Sequence, residues 1–102
     1  MIRPGADPRF AFSAEDWAPD SYLWAEPDRV LVSLVIAKRP GTGALTRLFE
    51  SIEAAGIAIA VPNPLGTMRG ILKRWGFARR VEFSDTMGTC EVWMKPVPRG
   101  EL

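Results

Sequence analysis

The 102-residue chain contains no histidine, a single cysteine and a single tyrosine. Without histidine there is no Ser-His or Cys-His nucleophile pair, no imidazole general base and no His-containing metal site. One thiol, Cys90, can form neither an internal disulfide nor a Cys-cluster zinc site, which makes a reducing compartment the expectation. No uninterrupted apolar run comes near the roughly 20 residues that a membrane span needs. The opening M-I-R-P-G-A-D-P lacks the hydrophobic segment of a secretory signal. No membrane partner and a cytoplasmic location are therefore expected.

What is present describes one small globular domain over 1–102, with 47% apolar and 25% charged residues. Charge is balanced overall at +1 but not along the chain. Residues 1–37 carry three basic and six acidic side chains, 38–80 carry eight basic and two acidic, and 81–102 carry two basic and four acidic. A basic centre between acidic ends suits an anionic partner, either a phosphate-bearing ligand or a nucleic acid; a solvated basic helix face is the plainer reading.

Strands and helices alternate. The first 20 residues, rich in Pro, Asp and Ala, offer one short strand candidate at 9–12 within an irregular segment. Residues 21–26 (S-Y-L-W-A-E) read as a strand, Pro27-Asp28 as a turn, and 30–37 (V-L-V-S-L-V-I-A) as a central strand buried on both faces. Leu45, Leu48, Phe49 and Ile52 form one helical stripe that Gly56 ends; residues 57–61 follow as a buried strand, parallel to the earlier one through a right-handed crossover. Met68, Ile71, Leu72 and Trp75 predict a second helix stopped by Gly76. Residues 77–84 and 89–95 predict a hairpin around Asp85-Thr86-Met87-Gly88, with Cys90, Val92 and Met94 on the one buried face of its last strand. Residues 96–102 are expected to be a flexible tail.

The chemistry concentrates where the buried strand runs through Lys38-Arg39-Pro40-Gly41-Thr42-Gly43 into a helix. Glycines at 41 and 43 allow a sharp turn and close backbone approach. The free N–H groups of the first helical turn suit an anion, and Lys38 and Arg39 add charge. A dinucleotide fingerprint fails, because Thr46 stands where its third glycine belongs and Ala60-Val61-Pro62 where its acid belongs. A P-loop fails because Gly43-Ala44-Leu45 replaces Gly-Lys-Ser/Thr.

The remaining pattern resembles the GNAT N-acetyltransferase superfamily. Its pyrophosphate loop, Q/R-x-x-G-x-G/A, is matched by residues 38–43 with Lys in the first place. A "G-F" entering a strand is matched by Leu72-Lys73-Arg74-Trp75-Gly76-Phe77, and the end of the last strand by Glu91-Val92-Trp93-Met94-Lys95. The resemblance spans 21–95. It implies an α+β fold: a mixed, mostly antiparallel sheet with a central splayed parallel strand pair and two helices. It also implies acetyl-CoA as cofactor and transfer of an acyl group, most often acetyl, to an amine.

Residue by residue, the resemblance assigns the pantetheine arm and thioester to the main chain of Leu34, Val35 and Ile36. It assigns the pyrophosphate to Lys38, Arg39, Gly41, Thr42, Gly43 and Ala44, with Pro40 contributing no N–H. Asn63 matches a cofactor-reaching asparagine, and Arg69, Lys73 and Arg74 are available to a 3′-phosphate. The family's usual tyrosine acid falls on Leu72, which cannot donate a proton, and the only tyrosine, Tyr22, lies on another strand. Glu26 and Asp28 are candidate bases, though turn residues are the plainer reading of both, and Ser33 is a polar candidate within an apolar strand. Cys90 reads as packing.

The family's N-terminal helices have no counterpart here. Phe10, Phe12, Trp17 and Trp24 could plug an edge, line an open acceptor site or form a homodimer contact. An open acceptor side suits a large amine substrate, a protein lysine or a modified base. Two other classes stay open: an inactive binding or regulatory module on the same fold, and a nucleic-acid-associated protein.

Overall fold

The computed structural model describes residues 1–85 and 88–95. The central part of the expected hairpin turn (86 and 87) and the expected flexible tail (96–102) lie outside the described residues.

Five strands form one mixed sheet: β1 (Tyr22–Ala25), β2 (Arg29–Leu34), β3 (Ala58–Pro62), β4 (Ala78–Ser84) and β5 (Gly88–Lys95), in spatial order β1-β2-β3-β5-β4. Among the described residues only β2 and β3 are parallel; every other neighbouring pair is antiparallel, and two helices complete the fold, α1 (Ala44–Ala54) and α2 (Gly66–Arg74). This is the expected α+β architecture, with a mostly antiparallel sheet, one parallel pair and two helices.

Both helices follow from apolar stripes and end alike. α1 buries Ala44, Leu48, Phe49 and Ile52, and α2 buries Leu72. At each C-terminus a left-handed glycine, Gly56 (φ 76°) or Gly76 (φ 86°), turns the chain. The next N–H then bonds back five residues, Ile57 to Ile52 O at 3.3 Å and Phe77 to Leu72 O at 3.0 Å. Phe49 packs edge-on against Trp75 and tilted against Phe77, which brings α1 and the end of α2 to the same side of the sheet.

On that side the core gathers Leu23, Val30, Val32, Ile59, Val61 and Trp93. Phe10, Phe12 and Trp17 join it, so the N-terminal segment is a plug beside α1, tied down where the Ala11 N–H donates to Ser51 Oγ (2.8 Å). Trp24 is not part of the plug; it is 45% exposed on the opposite face.

Three expectations need correction. Residues 9–12 form no strand: the Asp7 carboxylate takes the Arg9 N–H, and the Phe12 N–H turns back to Phe10 O (2.7 Å). The second strand ends at Leu34 and is not buried on both faces: Val30 and Val32 are buried, but Leu31 and Ser33 between them are only half-buried, and Leu34 at the strand end and Ile36 beyond it are 42% and 47% exposed. With both helices on one side, Leu31 and Ser33 meet the open face. Conversely, the last strand buries Trp93 as well as Val92, because β5 lies between β3 and β4 as an interior strand.

The helix-free face is held by a charged strap. Arg29 extends from β2 past Met94 Sδ and donates both terminal nitrogens to the Glu82 carboxylate of β4 at 2.9 Å, while its Nε meets Glu26. The small Ala58 and Ala60 of β3 leave room for this crossing. The bidentate bond holds the Glu82 carboxyl below its ordinary range and strengthens the Arg29 guanidinium as a cation. No helix among the described residues is long and apolar enough to cross a membrane.

Candidate functional site: a strand gap and a glycine loop

β2 and β3 pair over only three positions, Arg29 with Ala58, Val30 with Ile59 and Leu31 with Ala60. Beyond them β2 continues against β1 as far as Leu34, and β3 continues against β5 as far as Pro62. A gap therefore opens between two parallel strands at their C-terminal ends, where α1 and α2 begin. In open sheets this is the end at which ligands are accommodated, because helix N-termini and loops converge there.

The loop over this gap is exposed from Lys38 to Gly43. Gly41 (φ 84°) and Gly43 (φ 82°) are both left-handed, a conformation that a side chain makes costly. The loop's carbonyls are tied inward: Thr42 Oγ1 donates to Arg39 O (2.7 Å) and Arg47 Nη1 to Thr42 O (2.8 Å). Most of its amides are not. The first helical bond is donated by Arg47 to Gly43 O, and among the described residues the N–H groups of Arg39, Gly41 and Gly43 through Thr46 have no acceptor, while the Thr42 N–H is turned toward Arg39 O across the Pro40–Gly41 turn. α1 has no side-chain N-cap and no acid in its first turn, so nothing in the helix itself offsets its N-terminal partial charge.

Two guanidinium groups flank these amides. Arg39 and Arg47 face opposite oxygens of Asp16 at 3.5 and 3.7 Å. Asp16 is fixed by a short bridge between the N-terminal segment and the loop, in which the Lys38 N–H donates to Asp16 O (2.8 Å) and the Ala18 N–H to Ile36 O (2.8 Å). Arg47 escaped the sequence reading because it sits in a helical stretch as one more exposed charge. Its spacing from Gly43, one helical turn on, is the signal that places it over the loop.

The remaining candidates divide by position. Leu34, Val35 and Ile36 border the gap, but Ile36 is already used: its N–H donates to Ser21 Oγ (2.9 Å) and its carbonyl accepts from Ala18. Val35, by contrast, has no main-chain partner among the described residues. Lys38 turns its ammonium away to Ala14 O (2.7 Å).

Asn63 lies at the right end of β3 in a left-handed conformation (φ 45°), but its Oδ1 accepts the Glu91 N–H (3.2 Å) and its own N–H donates to Glu91 O, a strand-end lock. Lys73 is in the last turn of α2, far from the loop, where it complements the helix dipole. Arg69 pairs with Glu91, which Trp93, Arg69 and Arg79 together hold below the ordinary carboxyl range.

Glu26 and Asp28 stand at the opposite end of β2, lining a cavity of about 300 Å3 with Ile2, Phe10 and Gly56; Glu26 is committed to Arg29. A second cavity, about 170 Å3, lies between α1 and the end of α2 and is lined by Phe49, Glu53, Trp75 and Lys95. Residues 38–43 line neither. Leu72 is fully buried in the core. Ser33 is half-buried one position before Leu34, and Cys90 is half-buried on β5. Tyr22 is Leu34's cross-strand partner on β1, its ring under the Arg3 guanidinium at 5.7 Å.

The chain is thus an α+β protein with an anion-suited loop at the mouth of a strand gap. Compared with known proteins, it matches no family model, no curated protein and no solved structure.

Proposed function

We propose that this chain binds acetyl-CoA and transfers the acetyl group to an amine. The observation that carries the reading is the set of unpartnered amides at Gly41 and from Gly43 to Thr46, beside the gap where β2 and β3 part. A diphosphate needs several N–H donors converging on it, and this stretch has them facing no competitor within the loop. Arg39 and Arg47 supply countercharge. The gap beyond Leu31 and Ala60 accepts an extended arm, and Val35 has a free N–H to donate to a carbonyl oxygen as negative charge develops on it.

When bound, acetyl-CoA supplies an activated thioester. A neutral amine attacks its carbonyl carbon, forming the C–N bond as the C–S bond breaks; the amine's proton leaves to water and the departing thiolate takes one. Tyr22, cross-strand from Leu34, is the proton donor we favour, because Leu72 has none to give. The open, helix-free face beside it suits a bulky acceptor such as a protein lysine or a modified base.

Titration calorimetry with CoA and acetyl-CoA tests the cradle, and the mass shift of candidate acceptors tests transfer. Binding without transfer to any acceptor would favour a regulatory module, a reading supported by the remoteness of Glu26 and Asp28. A nucleic-acid role has less support, since Arg39, Arg47, Arg69 and Arg79 all face carboxylates of this chain.

A further inference from the structure

The two edges of the sheet are finished differently. At β1, Ile2 bridges Leu23, donating and accepting main-chain bonds at 2.7 and 2.9 Å, so the N-terminus covers that edge. At the other end, β4 bonds only to β5 among the described residues. Seven residues of open edge are an invitation to pairing, and β4 adds Val81 at 57% and Phe83 at 74% exposure. Arg79 and Arg80 are exposed beside them, which by itself is ordinary protection of an edge by charge.

The order of residues goes further than protection. A two-fold axis perpendicular to the sheet pairs β4 with itself antiparallel and keeps like faces together, so it must pass through a residue. Through Arg80 it sets two guanidinium groups opposite each other, and through Glu82 two carboxylates. Through Val81 all seven residues find partners. Val81 meets Val81 of the partner subunit, Arg80 meets Glu82 of the partner subunit twice over, Arg79 meets the ring of Phe83 of the partner subunit, and Ala78 meets Ser84 of the partner subunit. Arg80 makes no ion pair among the described residues, and its guanidinium rests only against Met94 Sδ (3.3 Å). Glu82 already receives Arg29, but a carboxylate has lone pairs for a second donor pair.

We propose that β4 is a self-complementary docking edge through which two copies of this chain join, centred on Val81, into one continuous ten-stranded sheet. Because β1 is covered, the assembly closes at two.

Sedimentation of the full chain over a range of concentrations tests it, with thermal melts to verify folding of each variant. The wild type is expected to show a monomer–dimer equilibrium, and Val81→Lys, a change at an exposed position, to weaken dimerisation at least about tenfold by setting like charges face to face. Arg80→Glu and Glu82→Arg should each be monomeric alone. Mixed in equal amounts they should form a heterodimer, because every charge then meets its opposite. A wild type that stays monomeric at its highest soluble concentration overturns the proposal. So does a dimer that survives Val81→Lys, or a mixture that stays monomeric. Should Glu82→Arg fail to fold for want of its Arg29 bond, Val81→Lys and Arg80→Glu decide alone.

Discussion

Gly41→Val and Gly56→Val form a matched pair that separates the loop's chemistry from its contribution to stability. Both glycines are left-handed, at φ 84° and 76°, and a Cβ added at either meets nothing within 4 Å. The cost of each change is therefore backbone conformation alone, about 2 kcal/mol for a β-branched residue in that region. For a domain of this size that lowers the melting temperature by roughly 8–16 °C, against a total stability large enough to keep both variants folded. The two sites are separated by the 11-residue α1, about 16 Å of helix. Gly56→Val should leave CoA affinity unchanged. Gly41→Val relieves its strain by rotating the peptides around it, which turns at least one or two amides away from a bound diphosphate. At roughly 1.5–3 kcal/mol for each charge-assisted bond, CoA affinity should fall by a factor of about ten to a hundred for one lost bond and about a hundred to ten thousand for two. Calorimetric titration with CoA, alongside thermal melts, reads both quantities. Equal CoA affinity in the two variants would refute the assignment of the diphosphate to this loop, whatever their melting temperatures.

Arg39→Ala and Arg47→Ala should each weaken CoA binding about three- to tenfold and flatten its salt dependence, because both guanidiniums are exposed and partly satisfied by Asp16; titrations at several salt concentrations check this. Glu82→Gln tests the strap. The folded-state pKa of Glu82 lies below the 4.5 of an unperturbed glutamate, so its stabilisation is complete above that pH and is lost as pH falls through the folded value. Urea midpoints between pH 7 and 3 should therefore fall less steeply below about 4.5 in the variant, which should also be about 1–2 kcal/mol less stable at pH 7. Ser21→Ala removes the acceptor of the Ile36 N–H and should cost about 1 kcal/mol in a urea melt, the exposure of Ile36 allowing water to replace part of the bond.

The fold was legible wherever hydrophobic period and glycine punctuation agreed. Gly56 and Gly76 end helices as their positions foretell, and the crossover rule supplies the parallel pair from strand–helix–strand order alone. What failed was burial by face. A run such as V-L-V-S-L-V-I-A looks like a strand covered on both sides, yet whether the second layer exists depends on which side the helices take. Here β2→β3 and β3→β4 advance in the same direction, so right-handed crossovers put both helices on one face and leave Trp24, Leu31 and Ser33 on the other. Trp93 was misread for the mirror-image reason: a C-terminal strand looks like an edge in sequence, but β5 inserts between β3 and β4 and is covered.

The candidate site divides along a similar line, between what adjacency determines and what only folding brings together. The glycines and free amides of 41–46 lie within one short stretch, so local sequence alone places them together. Arg47 and Asp16 are not readable in this way, because their meeting depends on the bridge that lays Trp17 against Ala37, twenty residues away. That bridge has a consequence for binding. It leaves the amides free while giving both flanking guanidinium groups a carboxylate at 3.5–3.7 Å, close enough to hold them over the loop but longer than a direct hydrogen bond. An arriving phosphate would therefore meet amides with no bond to break and cations with only loose ion pairs to give up. The backbone should then dominate affinity, with the arginines contributing less. This is why the glycine substitution, rather than either arginine substitution, is the sharper probe of the loop.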